Sequence, residues 1–252
     1  MARKSLSEMN LLDNFLFSSL LVRSDYAEEF GKIVIKIITG KEVPHLKVTA
    51  QKPVFGADTI YHGIRMDVYM DEADTEETAR PEQEIFDIEP DQNSKAEDIK
   101  GLPRRIRYYH SMIDKTAFES GKKYHLLRNV WVIMIMSYDP LGENRVVYTV
   151  RNMVEEDTNI PYDDGARTVL LYTRGNKGEV SEDLRQFLWY CEESTDKRVV
   201  NGALRRIHEM VTNVKRSEEV ELTLMKTWEW EDKIRDEGRE EGREEGLKAG
   251  RE

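Results

Sequence analysis

Apolar positions along this chain follow two rhythms. From Leu11 to Thr39 they recur at helical spacing, at Leu11, Leu12, Phe15, Leu20 and Leu21, and again at Phe30, Ile33, Val34 and Ile37. That pattern predicts two helical pieces, the second stopped by Gly40. From residue 46 the rhythm changes. LKVTAQKPVF (46–55) and GIRMDVYM (63–70) carry the β-branched alternation of strands. Residues 71–81 hold no apolar side chain larger than Ala and predict a loop. A third short strand follows at Glu84–Glu89, with Pro90 expected to end it because proline supplies no ladder donor. Leu102–Phe118 returns to helical spacing. NVWVIMIMSY (129–138) is a nearly continuous apolar run, which predicts a strand buried on both faces.

Two more strands are expected at 145–150 and 167–172, either side of a turn-rich segment. Glu179–Cys191 predicts a helix. A further helix from about Arg198 carries Val200, Leu204, Ile207, Val211 and Val214, steps of four and three that resemble a coiled-coil seam. The end of the sequence repeats with a four-residue period, with Gly at 238, 242, 246 and 250. Interior glycines each cost a helix about 1 kcal/mol against Ala, so a frayed, exposed helix or a disordered tail is expected there. The whole order predicts a mixed α/β sheet with helices on its faces.

Composition sharpens this picture. The chain has 252 residues, 39% hydrophobic and 35% charged, so something in it is solvated beyond the norm. Its aromatic content still supplies a real core, which excludes global disorder. No run of eighteen apolar residues predicts a membrane span, and the N-terminal segment lacks the apolar stretch of a secretory signal. The single cysteine, Cys191, excludes an intrachain disulfide and any cysteine zinc site, and predicts a buried, inert thiol. All of this fits a cytoplasmic protein with no membrane partner.

Net charge is -11, which argues against a non-specific nucleic-acid coat. The charge is unevenly placed. Residues 71–98 hold twelve acids against two bases, and residues 99–128 hold eight bases against two acids. Two readings follow. Either the two blocks are solvated faces that pair with each other, or some of the acids make a cation site beside a patch that meets phosphate.

The candidate chemistry lies on the predicted strands. In GIRMDVYM, Arg65, Asp67 and Tyr69 share a face; on the next strand Ile85, Asp87 and Glu89 do. If the two strands pair as a hairpin, Asp67 and Glu89 fall side by side. Neighbouring carboxylates repel unless a cation lies between them, and hard oxygen ligands suit Mg²⁺ or Mn²⁺. Against this stands the ordinary reading, in which an Asp on a strand face is simply solvated.

These blocks resemble a known family. RMDVYM, a loop, IFDIEP and then LPRRIRYYHSMIDKTAFESGKKYHLLRNVWVIMIMSYDPLG are similar to the recombination-promoting nuclease (Rpn-type), transposase-like proteins of the PD-(D/E)XK nuclease superfamily. LLDNFLFSSLLV resembles that family's N-terminal helix, and the Gly-Arg-Glu-Glu tail its terminal repeats. The likeness covers about residues 11–141, with more in RTVLLYTRGNKGE and the tail. It implies a restriction-endonuclease-like mixed β-sheet over residues 1–178, a helical extension over 179–237 and a charged tail over 238–252. It implies a Mg²⁺- or Mn²⁺-dependent DNA endonuclease associated with recombination or transposition. Asp67 and Glu89 would be the metal ligands. Asp13 would hold metal or water, or would serve as an N-cap of the helix that follows. Arg104, Arg105 and Arg107 would meet DNA phosphate with help from Tyr108, or would be the solvated side of an ordinary amphipathic helix.

The chain departs from the superfamily pattern after Glu89. The superfamily has Lys two residues on, and this family often Gln; here position 91 is Asp. An ionised Asp neither donates a proton nor stabilises developing negative charge, though Asp91 could act as an extra metal ligand. Gln92, in the catalytic set, or Lys95 could swing in as a substitute. The departure opens a second reading: a catalytically impaired nuclease fold that binds DNA or partner proteins without cutting. The seam at 200–214 adds the expectation of a homodimer through the C-terminal helices. The five histidines show no ligand spacing, and no phosphate loop is present.

Overall fold

A computed structural model gives the fold and describes residues 3–22, 25–50, 53–54, 64–65, 68–72, 83–118 and 121–249. Helix α1 (Asn14–Val22) and helix α2 (Ala27–Thr39) form where the helical spacing predicts them, and Gly40 ends α2 in the left-handed region at φ 73°. Strands β1 (Leu46–Ala50), β2 (Pro53–Val54), β3 (Ile64–Arg65), β4 (Val68–Glu72) and β5 (Glu84–Asp91) follow. Then come helix α3 (Ala96–Ala117), strands β6 (Asn129–Met136), β7 (Val147–Val150) and β8 (Ala166–Tyr172), and helices α4 (Glu182–Glu192), α5 (Gly202–Lys215) and α6 (Glu218–Ala249).

Among the described residues the main sheet has six strands in the order β1-β4-β5-β6-β8-β7, with β2 and β3 paired apart. β5–β6 and β6–β8 are parallel; β1–β4, β4–β5 and β7–β8 are antiparallel. The sheet is therefore mixed and helix-flanked, as the order of periodicities predicts.

Strand alternation sends side chains to two different cores. Phe86, Ile88, Ile133, Ile135, Val169 and Leu171 face one way and join buried residues of α1, α2, α4, α5 and the start of α6. Ile85, Val130, Val132, Met134, Met136 and Leu170 face the other way and meet α3 through Leu102, Ile106, Tyr109, Met112 and Ile113. β6 is buried on both faces, which its unbroken apolar run requires.

Four expectations are corrected. β5 runs through Pro90 to Asp91, still paired with β6. The Asp91 carbonyl accepts from Ser137 N on the β6 side, so the neighbouring Pro90 nitrogen points away from β6 and its missing proton interrupts none of that ladder. β4 extends to Glu72, past the start of the expected loop at residue 71. α3 starts at Ala96, one and a half turns before Leu102, and carries Pro103 inside it. Glu97 and Asp98 in its first turn favour that start electrostatically. The seam at 200–214 is spent within the chain: Leu204, Ile207, Val211 and Val214 are fully buried against the same core as α1, and only Val200 is exposed.

The hydrophobic core also crosses residue 178. Leu184, Phe187, Leu188 and Leu204 share one cluster with Phe17 and Ile133, so α4 and α5 build the body of the fold instead of extending from it. α6 begins in that cluster through Val220 and Leu224 and then runs on as an exposed helix. Added methyl groups at Gly238, Gly242 and Gly246 would meet nothing, which places these glycines in open solvent.

Candidate functional site

Strand β5 carries the acids. Its alternation puts Ile85, Asp87, Glu89 and Asp91 on the α3 side of the sheet, in register with Val130, Val132, Met134 and Met136 of β6. The three carboxylates are buried, at 0%, 5% and 8% exposure. A carboxylate taken out of water costs several kcal/mol unless cations or donors surround it. This row therefore demands compensating charge.

At Asp91 the compensation is visible. The Arg105 guanidinium, reaching from α3, forms an ion pair with it. The Tyr138 hydroxyl donates to Asp91 Oδ2 at 3.2 Å, and the Asn93 backbone N–H donates to Oδ1 at 2.7 Å. Burial works against the Arg105 charge, but Asp91 outweighs it, with help from Tyr109 and Glu89, and the guanidinium is held above its ordinary pKa. Burial, followed by the Asp91 charge, pushes the Tyr138 phenol up as well. With both oxygens engaged, Asp91 serves as the anchor of Arg105, which leaves it ill placed as an extra metal ligand. Its partners could not be read from spacing, because Arg105 and Tyr138 reach it from separate elements.

Asp13 and Gln92 meet on the opposite side of β5. The Gln92 amide donates to the Leu12 carbonyl at 2.8 Å and to Asp13 Oδ1 at 3.2 Å. Lys4 Nζ lies 2.9 Å from the same oxygen, and the Asn10 N–H donates to Oδ2 at 2.7 Å. Asp13 holds the N-cap backbone position, since its carbonyl accepts from Phe17 N. Its carboxylate, however, turns back to the preceding turn and to β5's end. The two residues thus join α1 to the end of the acid-bearing strand. Gln92 follows the even-numbered residues of β5 toward α1, whereas Glu89 and Asp91 face α3.

Asp67 lies outside the described residues. Nearest to it in sequence, β4 pairs Tyr69 with Asp87, Met70 with Phe86 and Asp71 with Ile85. Among the described residues no group of three or more His, Cys, Asp or Glu side chains is arranged to hold a metal ion. The chemistry of the donors nonetheless suits a hard divalent cation, because Asp87 and Glu89 are buried carboxylates on one strand face. The strand period places Asp87 on the same face as Glu89.

The basic residues of α3 divide. Arg104 and Arg107 are exposed, Arg105 is committed to Asp91, and Tyr108 is half-buried against the α3-side core. At the other end of β5, Glu84 is bound by Lys41 and by Trp131 Nε1 at 3.0 Å, on the face away from α3. Cys191 is fully buried, and burial pushes its thiol well above the ordinary value, as an inert core cysteine requires. No helix among the described residues is long and apolar enough to cross a membrane. Compared with known proteins, the chain matches no family model, no curated sequence and no solved structure.

Proposed function

We propose that the chain is a divalent-metal-dependent DNA endonuclease with a restriction-endonuclease-like fold, associated with recombination or transposition. The observation that carries this reading is the row of buried carboxylates on β5, beside an antiparallel neighbour that pairs Tyr69 with Asp87. The reading requires that register to continue by two residues, so that Asp67 stands opposite Glu89. Those two side chains would hold Mg²⁺ or Mn²⁺. When bound, the ion would acidify a water and offset charge on the scissile phosphodiester. Arg104 and Arg107, both exposed on α3, would hold the DNA backbone. Arg105, fixed beside Asp91 and close enough to feel Glu89, would supply the positive charge that the motif's missing lysine provides elsewhere. A guanidinium stays protonated, so it would stabilise negative charge without transferring a proton.

Plasmid nicking tests the proposal. Wild type with Mg²⁺ or Mn²⁺ should convert supercoiled to open-circle DNA. Asp67→Ala and Glu89→Ala should each lower the rate by roughly 10²-fold or more. Equal rates for wild type and both variants would refute it.

The Asp91–Arg105 pair also favours a second reading, a fold that binds DNA or partner proteins without cutting, because it leaves no proton donor at position 91. In that case DNA binding survives Glu89→Ala, while Arg104→Ala with Arg107→Ala weakens it and flattens its salt dependence. A homodimer through the C-terminal helices would have to use α6, where Trp230 and Ile234 are exposed one turn apart. Light scattering on Trp230→Glu with Ile234→Glu should then show half the wild-type mass, and a wild-type protein that is already monomeric would refute it.

A further inference from the structure

Among the described residues α3 alone packs on its side of the sheet, where α1, α2, α4, α5 and the start of α6 share the other. A helix is about 10 Å wide and strands lie about 4.8 Å apart, so α3 covers roughly two strands. It lies over β5 and β6, and the β8–β7 end is left beside it. There a cavity of about 460 Å³ opens between α3, β7 and β8, a size typical of small-molecule sites.

Its walls are mostly apolar. Leu102, Ile106 and Leu170 are buried behind it, and Leu141 and Val150 line it while remaining 48% and 49% exposed. The loop that carries Leu141 is pinned: Asp139 Oδ1 accepts from the Leu141 and Gly142 N–H groups at 3.2 and 3.0 Å and from the Tyr148 hydroxyl at 2.8 Å. The cavity is therefore built in advance of any ligand. His110 and Thr168 add a polar point, with His110 Nε2 3.0 Å from Thr168 Oγ1 and a buried Nδ1 that has no hydrogen-bond partner. Two exposed arginines, Arg107 and Arg151, complete the lining, and neither makes an ion pair among the described residues. Arg151 also stabilises the Asp163 carboxylate and Asp164 bears on His110, but Arg107 and Arg151 still set two guanidinium groups over an apolar hollow, where they attract an anion.

We propose that this cavity binds a small organic carboxylate: an aromatic or aliphatic body seated over Ile106, Leu170 and Val150, with its carboxylate held by Arg107 and Arg151. Guanidinium and carboxylate match as a planar fork, which a phosphate-only ligand would not exploit together with the apolar wall. None of the acids of β5 lines the cavity; it shares Arg107 with the DNA surface proposed above, and small-ligand binding there does not depend on cleavage.

Calorimetry on the full chain with 2-naphthoate and its neutral counterpart 2-naphthamide tests the proposal. Naphthoate should bind one per chain, about tenfold or more tighter than the amide, the margin expected for charge-assisted hydrogen bonds. Arg107→Gln with Arg151→Gln should bring the two affinities together. Val150→Trp, at a half-exposed edge position that tolerates bulk, should fill the hollow and abolish both. In wild type the His110 ring resonances should shift on naphthoate addition, a readout independent of the variants. Equal affinity for both probes in wild type, binding unaltered by Val150→Trp, a silent His110, or displacement of naphthoate by equimolar inorganic phosphate would overturn it.

Discussion

The two faces of the central sheet are built to different rules. Toward α1, α2, α4 and α5, strands β5, β6 and β8 present Phe86, Ile88, Ile133, Ile135, Val169 and Leu171, closed over by Phe17, Phe30, Phe187 and Leu204. Toward α3 the same strand β5 presents Asp87, Glu89 and Asp91, and the sheet's far end is left hollow. One β-strand thus contributes alternately to an apolar core and to a row of buried charge. Polar groups in a low-dielectric setting lower stability unless compensated, so their concentration on one face sets that face apart from the apolar one.

The largest effect should come from the apolar face. Phe187→Ala removes a fully buried ring among α4, α5 and the sheet, and should cost about 3–5 kcal/mol in urea unfolding. Glu89→Gln, also buried but on the α3 face, should change stability by no more than about 1 kcal/mol and, on the proposed nuclease reading, lower metal-dependent nicking by roughly 10²-fold or more. If both variants lost the same stability, the division between faces would fail.

Next comes the Asp91–Arg105 pair. Breaking one partner of a fully buried pair costs about 3–5 kcal/mol, but the Arg105 side chain is 34% exposed, so about 1–3 kcal/mol is expected for Arg105→Ala. A double-mutant cycle with Asp91→Ala should show positive coupling. Additive losses would mean that the ion pair adds nothing beyond its separate residues.

A smaller effect concerns His110. Burial lowers its pKa below 6.5, and the neighbouring Asp164 opposes that only in part. The folded state therefore binds its proton later than the unfolded chain as pH falls. His110 contributes no pH dependence above about 6.5; from there down through its own lower pKa, stability should fall. Imidazole NMR should place its midpoint under 6.5, and Asp164→Asn should move it lower still. A midpoint at or above 6.5 would contradict the burial. The smallest effect is expected in the tail, where Gly238→Ala with Gly242→Ala should raise helicity by circular dichroism, worth about 1 kcal/mol per site to the local helix, and leave the unfolding midpoint of the body unchanged.

Much of this organisation is legible in the sequence because it rests on local periodicity. The period-two alternation of Ile85, Asp87 and Glu89 gives their common face, the unbroken run at 129–136 gives a strand buried on both sides, and Gly40 marks the end of α2. What depends on tertiary partners is not legible. Pro90 looks like a strand end until β6 is known to lie on its carbonyl-neighbour's side. The 200–214 seam has the spacing of an intermolecular contact, and the same spacing serves equally well against α1. Asp91 reads as a broken catalytic motif; its guanidinium and phenol partners come from α3 and from the end of β6. The cavity leaves no mark in the sequence, because it arises where the width of one helix falls short of the width of the sheet.

The metal grip proposed for Asp67 and Glu89 is tested most directly by an anomalous difference map from crystals soaked in Mn²⁺. The account predicts one strong peak within coordination distance, about 2.2 Å, of oxygens from both side chains, absent in Glu89→Ala crystals. A well-ordered wild-type crystal with no peak between those two carboxylates, or with the side chains turned to opposite sides of the sheet, would contradict it.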